Sequence, residues 1–331
     1  MAGKLIVGNL SVETGEKAHG LWKIAETPSS AIELPVFLIS GRSVGPSLCI
    51  SAGTKPCVYA AVEACIRISK VIDAERLKGN LITCPVLDIP SFNTQTPDVC
   101  AIDLKPVPRQ PEETGSMSNI IGQARRRLMS MADYAIDLHG GDIDENLIEG
   151  IVISGWSGDP SYDEKVIQLV KWFRPRAWQR TPVLVPKSIP SILTESGGGG
   201  KLEEHQIQFH VEGVLNVMRG LGMISGKPEP DMRPEFVYGI GHRYILRASR
   251  GGIYYSKITA GAQLREGQVI GTIGNLFGDT VETITSPVTG RIIAYWDENK
   301  IVNSGDIIGV VYAPDEETEY TIRPPKGWKD A

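Results

Sequence analysis

The stretch "CISAGTKPCVYAAVEA", residues Cys49–Ala64, predicts a strand, a turn and a helix in succession. An apolar run ends at Gly53, a turn of sequence TKPC follows at residues 54–57, and a helix-like apolar pattern starts at Val58. A strand that leads through a turn into a helix is typical of α/β proteins, whose ligands bind at the carboxyl ends of the strands. The turn therefore predicts a functional site, and its Lys-Pro-Cys sequence needs an explanation.

Strand-like and helix-like segments alternate after this turn. The segments "GNLITCPVLD", "DYAIDLH", "EGIVISG" and "SIPSILTE" have the composition of buried strands, and amphipathic helix patterns lie between and after them. Residues 1–45 are instead rich in short β-like segments. We expect an α/β domain over residues 1–225, with a mostly parallel or mixed sheet sandwiched by helices and a β-rich extension at residues 1–45.

A second, smaller domain is expected at the C-terminal end. Residues 226–239 include the Pro-rich segment "GKPEPDMRPEF" and predict a linker. Residues 240–331 contain a loose repeat, "AGAQLREGQVIGTI" and "ENKIVNSGDIIGVV", that resembles the barrel-sandwich of biotinyl and lipoyl domains. The hairpin matching the carrier hairpin, "GNLFGDTV", contains no lysine, so this all-β domain is not expected to carry a cofactor.

Bulk properties exclude several kinds of partner. The net charge is −5, which favours no nucleic-acid partner, and the basic run at residues 125–127 fits the solvated face of a helix. Neither an apolar stretch of about 18 residues nor a signal-peptide pattern is present, so no membrane association is expected. The five cysteines are odd in number and lie mostly in apolar segments, which indicates reduced thiols and a cytoplasmic protein.

Three predicted strand ends carry side chains suited to chemistry. They are Lys55 in the opening turn, His139 in "AIDLHGG", and Glu195 in "LTESGGGG". Asp137 lies two residues before His139, on the same face of the strand, and can orient the imidazole. A buried Glu195 would have a raised pKa suited to acid/base work. A structural role remains open for each of these two residues. His139 could be a strand-end histidine bonded to backbone, and Glu195 could be a favourable acidic charge near a helix N-terminus.

These segments in this order resemble the succinylglutamate desuccinylase/aspartoacylase family, zinc-dependent deacylases related to the M14 carboxypeptidases. The resemblance covers most of the chain and includes "GPSLCISAG", "CPVLDIPSF", "ADYAIDLHGG", "LTESGGGG" and the C-terminal β region. It implies a carboxypeptidase-like fold and hydrolysis of a C–N amide bond in a small acylated amino-acid-like substrate or related carboxylate.

The resemblance also implies roles for single residues. His139 matches the third zinc ligand of the family, and Glu195 matches the general base that activates water. The family's first two ligands are a His and a Glu in the opening turn, and their positions are taken here by Lys55 and Val58. A zinc cofactor is therefore implied by the family but doubtful from this turn, since Val58 cannot ligate and a catalytic zinc needs about three protein ligands.

Other residues could compensate for these departures. Cys57 and Asp137 are the replacement metal ligands considered with His139, and Asp98 or Cys100 could add a further donor. The family's substrate-gripping Asn-Arg pair is replaced in "AIDLKPVPRQ", where Lys105 and Arg109 remain candidates to bind an anion. Lys55 itself could polarise a carbonyl, or form a Schiff base if its amine were desolvated.

Three hypotheses follow from these residues. The first is a divergent deacylase or amidohydrolase of amino-acid metabolism in which Glu195 is the general acid/base. The second is a metal-independent lyase or isomerase that uses Lys55, His139 and Glu195. The third is a ligand-binding protein on the same scaffold without catalysis. Each takes a small molecule as its partner, and the sequence leaves homo-oligomerisation open.

Overall fold

The computed structural model describes residues 4–95, 117–182, 189–229, 234–239, 243–296 and 299–313. Within these ranges, the helices are α1 (Tyr59–Val71), α2 (Ile89–Thr94), α3 (Met117–Met129), α4 (Pro160–Phe173) and α5 (Glu204–Gly220). The strands are β1 (Leu5–Val7), β2 (Leu10–Val12), β3 (Lys17–Glu26), β4 (Ala31–Ser40), β5 (Ser43–Ser51), β6 (Lys78–Cys84), β7 (Tyr134–His139), β8 (Glu145–Leu147), β9 (Ile151–Trp156), β10 (Ala177–Pro182), β11 (Ser191–Glu195), β12 (Phe236–Gly239), β13 (Arg243–Arg247), β14 (Gly252–Ser256), β15 (Gln263–Leu264), β16 (Val269–Gly274), β17 (Thr280–Thr285), β18 (Gly290–Trp296), β19 (Asn299–Val302) and β20 (Ile307–Tyr312).

A large mixed sheet dominates the described part of the chain, with nine strands in the order β12-β10-β9-β11-β7-β5-β6-β4-β3. Its central strands β6, β5, β7 and β11 run parallel. Strand β4 runs antiparallel to β6, and β9 runs antiparallel to β11. The carboxyl ends of β5, β7 and β11 therefore lie side by side at one edge of the sheet.

Helices cover both faces of this sheet. Helices α1, α4 and α5 contribute Ile68, Val170 and Val214 to an apolar cluster on one face. Helix α3 contributes Leu128 to a second cluster that includes Leu34 of β4. Strand β5 is buried toward its carboxyl end, as expected for a strand covered on both faces. The prediction of an α/β sheet sandwiched by helices is confirmed.

The C-terminal region forms two antiparallel sheets. One has the order β13-β20-β18-β15, and the other has the order β17-β16-β14-β19. A separate apolar cluster includes Tyr254 and Ile273 from the second sheet and Ile292 and Ile308 from the first. The predicted all-β C-terminal architecture is confirmed.

Two strands lie outside the domain that the sequence suggests for them. Strand β12 falls inside the stretch predicted as a linker, residues 226–239, yet it pairs with β10 at the edge of the large sheet. Strand β8, which follows β7 in the chain, pairs with β18 of the C-terminal region. The domain boundaries at 225 and 240 stay predictions, and β8 brings the C-terminal sheet next to the predicted site.

Within the described ranges, every helix falls short of the length and apolar character that crossing a bilayer requires.

Candidate active site

The three strand ends singled out in the sequence are neighbours in the large sheet. Ser51 at the end of β5 pairs with Asp137 of β7, and His139 at the end of β7 pairs with Glu195 at the end of β11. The turn that carries Lys55 follows directly from Ser51. Parallel pairing thus brings Lys55, His139 and Glu195 to one edge of the sheet, where ligands of such folds bind.

The opening turn is held by backbone contacts to the strand beside it. Ala52 donates its N–H to the Cys84 carbonyl at 2.9 Å. Gly53 has a φ of +64°, and a Cβ there would lie 2.7 Å from the Val86 Cα. Only glycine suits this position, because an L side chain would be strained and would meet immovable backbone. The tight turn then delivers Thr54 and the residue after it to the edge of the sheet.

Asp137 is the centre of a buried polar network. Its Oδ1 accepts a hydrogen bond from the Ser51 hydroxyl at 2.7 Å, and its Oδ2 accepts from the Arg125 Nη2 at 2.6 Å and from the His139 Nε2 at 2.9 Å. Burial alone would raise the pKa of Asp137, but the charges of Arg125 and His139 outweigh burial and hold it well below its usual range. Asp137 is therefore an ionised carboxylate that orients His139.

His139 is buried and its ring meets two partners. Besides Asp137, the Thr54 hydroxyl lies 2.9 Å from Nε2 and 3.3 Å from Nδ1. His139 is 1% exposed. Both ring nitrogens therefore lie within reach of a polar side chain, and the imidazole ties the end of β7 to the opening turn.

Lys55 is an ammonium held by carboxylates. Its Nζ lies 3.1 Å from Oε2 of Glu145, and the Gly140 carbonyl is 3.5 Å away. Burial would lower the pKa of Lys55, but the charges of Glu145 and Glu195 outweigh burial and raise it. The amine that a Schiff base needs is thus disfavoured, whereas a cation that polarises a carbonyl is favoured.

Glu195 is partly buried, at the end of β11. Burial and the charge of Glu145 raise the pKa of Glu195, while the nearby cation Lys55 lowers it, and the net shift is upward. A carboxylate with a raised pKa is the kind that accepts and returns a proton near neutral pH.

Two glycine-rich loops after β7 and β11 interlock beside these side chains. Gly141 donates its N–H to the Gly197 carbonyl at 2.8 Å, and Gly199 donates to the Asp142 carbonyl at 2.8 Å. A Cβ on Gly198 would lie 1.9 Å from the Glu145 carbonyl oxygen. The glycines after Glu195 therefore permit a backbone approach that larger residues would prevent.

The residues present do not fit the family's zinc site. Among the described residues, no cluster of three or more His, Cys, Asp or Glu side chains could hold a metal ion. Val58 has no donor atom, and Lys55 is an ammonium paired with Glu145. His139 is bonded to Asp137 through one ring nitrogen, an arrangement compatible with a metal ligand, but it adds a single donor to this turn. The donor chemistry of the opening turn thus differs from the two-ligand turn that the resemblance implies.

Cys57 stays a predicted replacement ligand, and its surroundings favour the neutral thiol. It is buried, its Sγ lies 3.9 Å from the Tyr59 hydroxyl, and burial raises the pKa of its thiol, which disfavours the thiolate that metals bind. The remaining candidates from the sequence, namely Lys105, Arg109, Asp98 and Cys100, lie outside the described residues.

Two residues of the site were not assigned from the sequence. Arg125 was expected on a solvated helix face, but its side chain is 14% exposed and pairs with Asp137. A usable signal was its spacing of four from the buried Ile121, which puts both on one side of α3. Glu145 was not singled out, because nothing in the local sequence indicates that β8 pairs with β18 of the C-terminal region.

Comparisons with known proteins give one curated relative. No family model matches the chain. The chain is 22% identical over 330 residues to the N-alpha-acetyl-L-2,4-diaminobutyric acid deacetylase of Halomonas elongata, covering 92% of this chain and 94% of the relative. That relative is, by its name, a deacetylase of an acetylated amino acid.

Solved structures extend the likeness to the fold. The product-bound ectoine utilization protein EutE (DoeB) of Ruegeria pomeroyi matches with a TM-score of 0.79 and 18% identity, over 93% of this chain and 98% of that chain. A succinylglutamate desuccinylase/aspartoacylase of Rhodobacter sphaeroides matches with a TM-score of 0.78 and 18% identity, over 92% and 98%. The resemblance to the succinylglutamate desuccinylase/aspartoacylase family is confirmed, and at these identities the structures establish a shared fold.

Proposed function

We propose, for a chain with the fold of succinylglutamate desuccinylase/aspartoacylase proteins, that it hydrolyses the C–N amide bond of a small acylated amino-acid-like substrate. One observation carries the proposal: Lys55, Glu145 and Glu195 form a charged cluster at the sheet edge where such folds bind ligands, beside His139. The named activity of the Halomonas elongata relative suggests the substrate class.

Glu195 is the general acid/base in this proposal. Its carboxylate takes a proton from water while the water oxygen attacks the carbonyl carbon of the amide. The tetrahedral intermediate then collapses as Glu195 returns the proton to the nitrogen, the C–N bond breaks, and a carboxylic acid and an amine leave. The raised pKa of Glu195 supports this role, because it brings the group toward the pH at which proton transfer is most effective.

Lys55 supplies positive charge to the carbonyl oxygen. Its ammonium donates a hydrogen bond to the oxygen, and the interaction strengthens as negative charge develops in the transition state. His139 is proposed to support Lys55: with Nε2–H donated to Asp137, its Nδ1 can accept from the Thr54 hydroxyl at 3.3 Å and so fix the residue before Lys55. No step is assigned to zinc, because the donor set of the turn does not fit it.

A metal-independent lyase or isomerase is the second candidate, favoured by the same charge arrangement. A carboxylate base beside a fixed cation can remove a proton next to a carbonyl and stabilise the enolate. Product analysis separates the two: a hydrolase releases an amine and a carboxylic acid, whereas a lyase leaves an unsaturated product and an isomerase leaves the mass unchanged.

The test is amine release from a panel of N-acetyl and N-succinyl amino acids, with Glu195→Gln as the informative variant. We expect turnover by the unaltered protein and a kcat lower by about 10²–10⁴-fold in Glu195→Gln, the usual contribution of a general acid/base.

Glu203→Gln is the matched control, because Glu203 is exposed and its side chain makes no capping hydrogen bond at the start of α5. Its kcat should equal that of the unaltered protein. Full activity in Glu195→Gln, or binding of these compounds with no turnover by the unaltered protein, would contradict the proposal.

A further inference from the structure

Glu145 is a carboxylate that the proposed reaction does not use directly. It begins β8, a strand of three residues, and its side chain is 12% exposed. Its Oε2 lies 3.1 Å from the Lys55 Nζ and also accepts the backbone N–H of Asp142 at 3.2 Å. One carboxylate oxygen thus fastens the cation of the opening turn to the loop that follows β7.

The backbone around Glu145 is itself held from two sides. On one side, Gly141 and Gly198 approach its carbonyl so closely that a Cβ on either would clash, at 2.1 and 1.9 Å. On the other side, Glu145 pairs with Trp296, and Leu147 pairs with Ala294, in the antiparallel β8–β18 ladder. The C-terminal sheet therefore fixes the position of the Glu145 backbone. The glycine-containing loops fix the distance between Glu145 and the end of strand β11, which carries Glu195.

We propose that Glu145 is a positioning residue: delivered by the C-terminal sheet, it holds the Lys55 ammonium at the place where the substrate carbonyl binds. The inference rests on the proposed function only for what Lys55 does there. The contact between Glu145 and Lys55 is independent of the reaction, and the experiment below tests the two separately.

The surrounding charges make Glu145 the strongest partner of Lys55. The groups acting on Lys55 are Glu145, Glu195 and Asp142, and the groups acting on Glu195 are Lys55, Glu145, His139 and Arg243, with Tyr238 and Tyr312 nearby. Burial opposes the charged form of Lys55. Without the charge of Glu145, the pKa of Lys55 and the pKa of Glu195 should therefore both fall.

Acetylation of Lys55 by N-acetoxysuccinimide at neutral pH tests the inference, with the modified peptide quantified by mass spectrometry. Only the free amine reacts, and each unit of lowered pKa raises its fraction about tenfold. We expect Lys55 to react at least about threefold faster in Glu145→Gln than in the unaltered protein. Glu145→Asp keeps the negative charge on a side chain that is one methylene shorter. Lys55 in this variant should be acetylated at an intermediate rate.

Asp144→Asn is the matched control, because Asp144 precedes Glu145 and lies 3.7 Å from Lys300. Its Lys55 acetylation rate should equal that of the unaltered protein. An unchanged rate in Glu145→Gln, or an equal increase in Asp144→Asn, would overturn the inference. Thermal unfolding of each variant checks that it is folded, so that faster acetylation cannot come from general unfolding.

Turnover distinguishes failure of this inference from failure of the proposed function. If Glu145 positions Lys55 for the proposed hydrolysis, kcat falls about tenfold in Glu145→Gln with KM nearly unchanged, and the optimum moves to lower pH. Faster acetylation with unchanged turnover would keep the Glu145–Lys55 contact and refute the part that gives Lys55 a place at the carbonyl. Unchanged acetylation refutes the contact whatever the turnover.

Discussion

At the scale of single residues, the site depends on charges that burial would neutralise if they stood alone. Lys55 stays an ammonium because Glu145 and Glu195 face it, and Asp137 stays a carboxylate because Arg125 and His139 face it. A buried charge is tolerated only when such partners compensate for lost hydration. Each pair therefore supports both the stability of the fold and the ionisation states that the proposed chemistry needs.

Replacing Asp137 by Asn is expected to destabilise the protein by about 3 kcal/mol at pH 7, because a mostly buried Arg125 loses its partner. The pKa of Asp137 is lowered in the folded protein, so its stabilisation is fully present above the unfolded value of about 3.9 and is lost as pH falls below it. The difference in unfolding free energy between the two proteins should therefore shrink from pH 7 to pH 3.

Urea unfolding at both pH values measures this difference. Glu26→Gln is the control, because it removes an exposed ion pair with Lys23 and should leave the urea midpoint unchanged. A difference that stays constant between pH 7 and pH 3 would show that the charge of Asp137 does not stabilise the fold.

The proximity of three candidate residues could be predicted because the position of a residue in a strand determines its neighbours in the sheet. His139 and Glu195 end strands β7 and β11, Lys55 lies in the turn after β5, and parallel strands end at a common edge. Arg125 was missed because its partner depends on how α3 packs on the sheet. The roles assigned to Lys55, His139 and Glu195 stay proposals.

At the scale of elements, the interlocked loops after β7 and β11 determine how the charged side chains are spaced. The loop after β7 leads to Glu145 at the start of β8, and the loop after β11 follows Glu195. A Cβ on Gly198 would lie 1.9 Å from the Glu145 carbonyl oxygen, so the two loops pack backbone against backbone at this point. Among the four glycines after Ser196, Gly198 has this packing role.

Replacing Gly198 by Ala tests this coupling. Its Cβ would lie 1.9 Å from the Glu145 carbonyl oxygen, so the loops must separate. We expect destabilisation by about 1–3 kcal/mol, typical of overpacking, together with loss of turnover. Calorimetry and the amine-release assay measure the two effects.

Gly251→Ala provides the comparison, because the nearest atom to its Cβ would be 3.5 Å away, an ordinary contact. It should match the unaltered protein in both measurements. Wild-type stability and turnover in Gly198→Ala would show that the loop spacing does not matter to the site.

At the scale of the whole molecule, two sheets meet at the site. The fold class followed from strand–helix alternation, because the period of apolar residues reports which faces are buried. The pairing of β8 with β18 did not follow, since a strand of three residues has no periodicity to read and its partner lies far along the chain. As a result, the contribution of the C-terminal sheet to the site was visible only in three dimensions.

We propose that Lys55, held by Glu145 and acting beside Glu195, takes the place of the family's zinc in amide hydrolysis. The most direct measurement is amine release from N-acyl amino acids by protein dialysed against a chelator, before and after adding zinc. We expect equal turnover in both samples, with less than about a tenth of an equivalent of zinc bound after dialysis and loss of turnover in Lys55→Met. Turnover that disappears on dialysis and returns with zinc would contradict it.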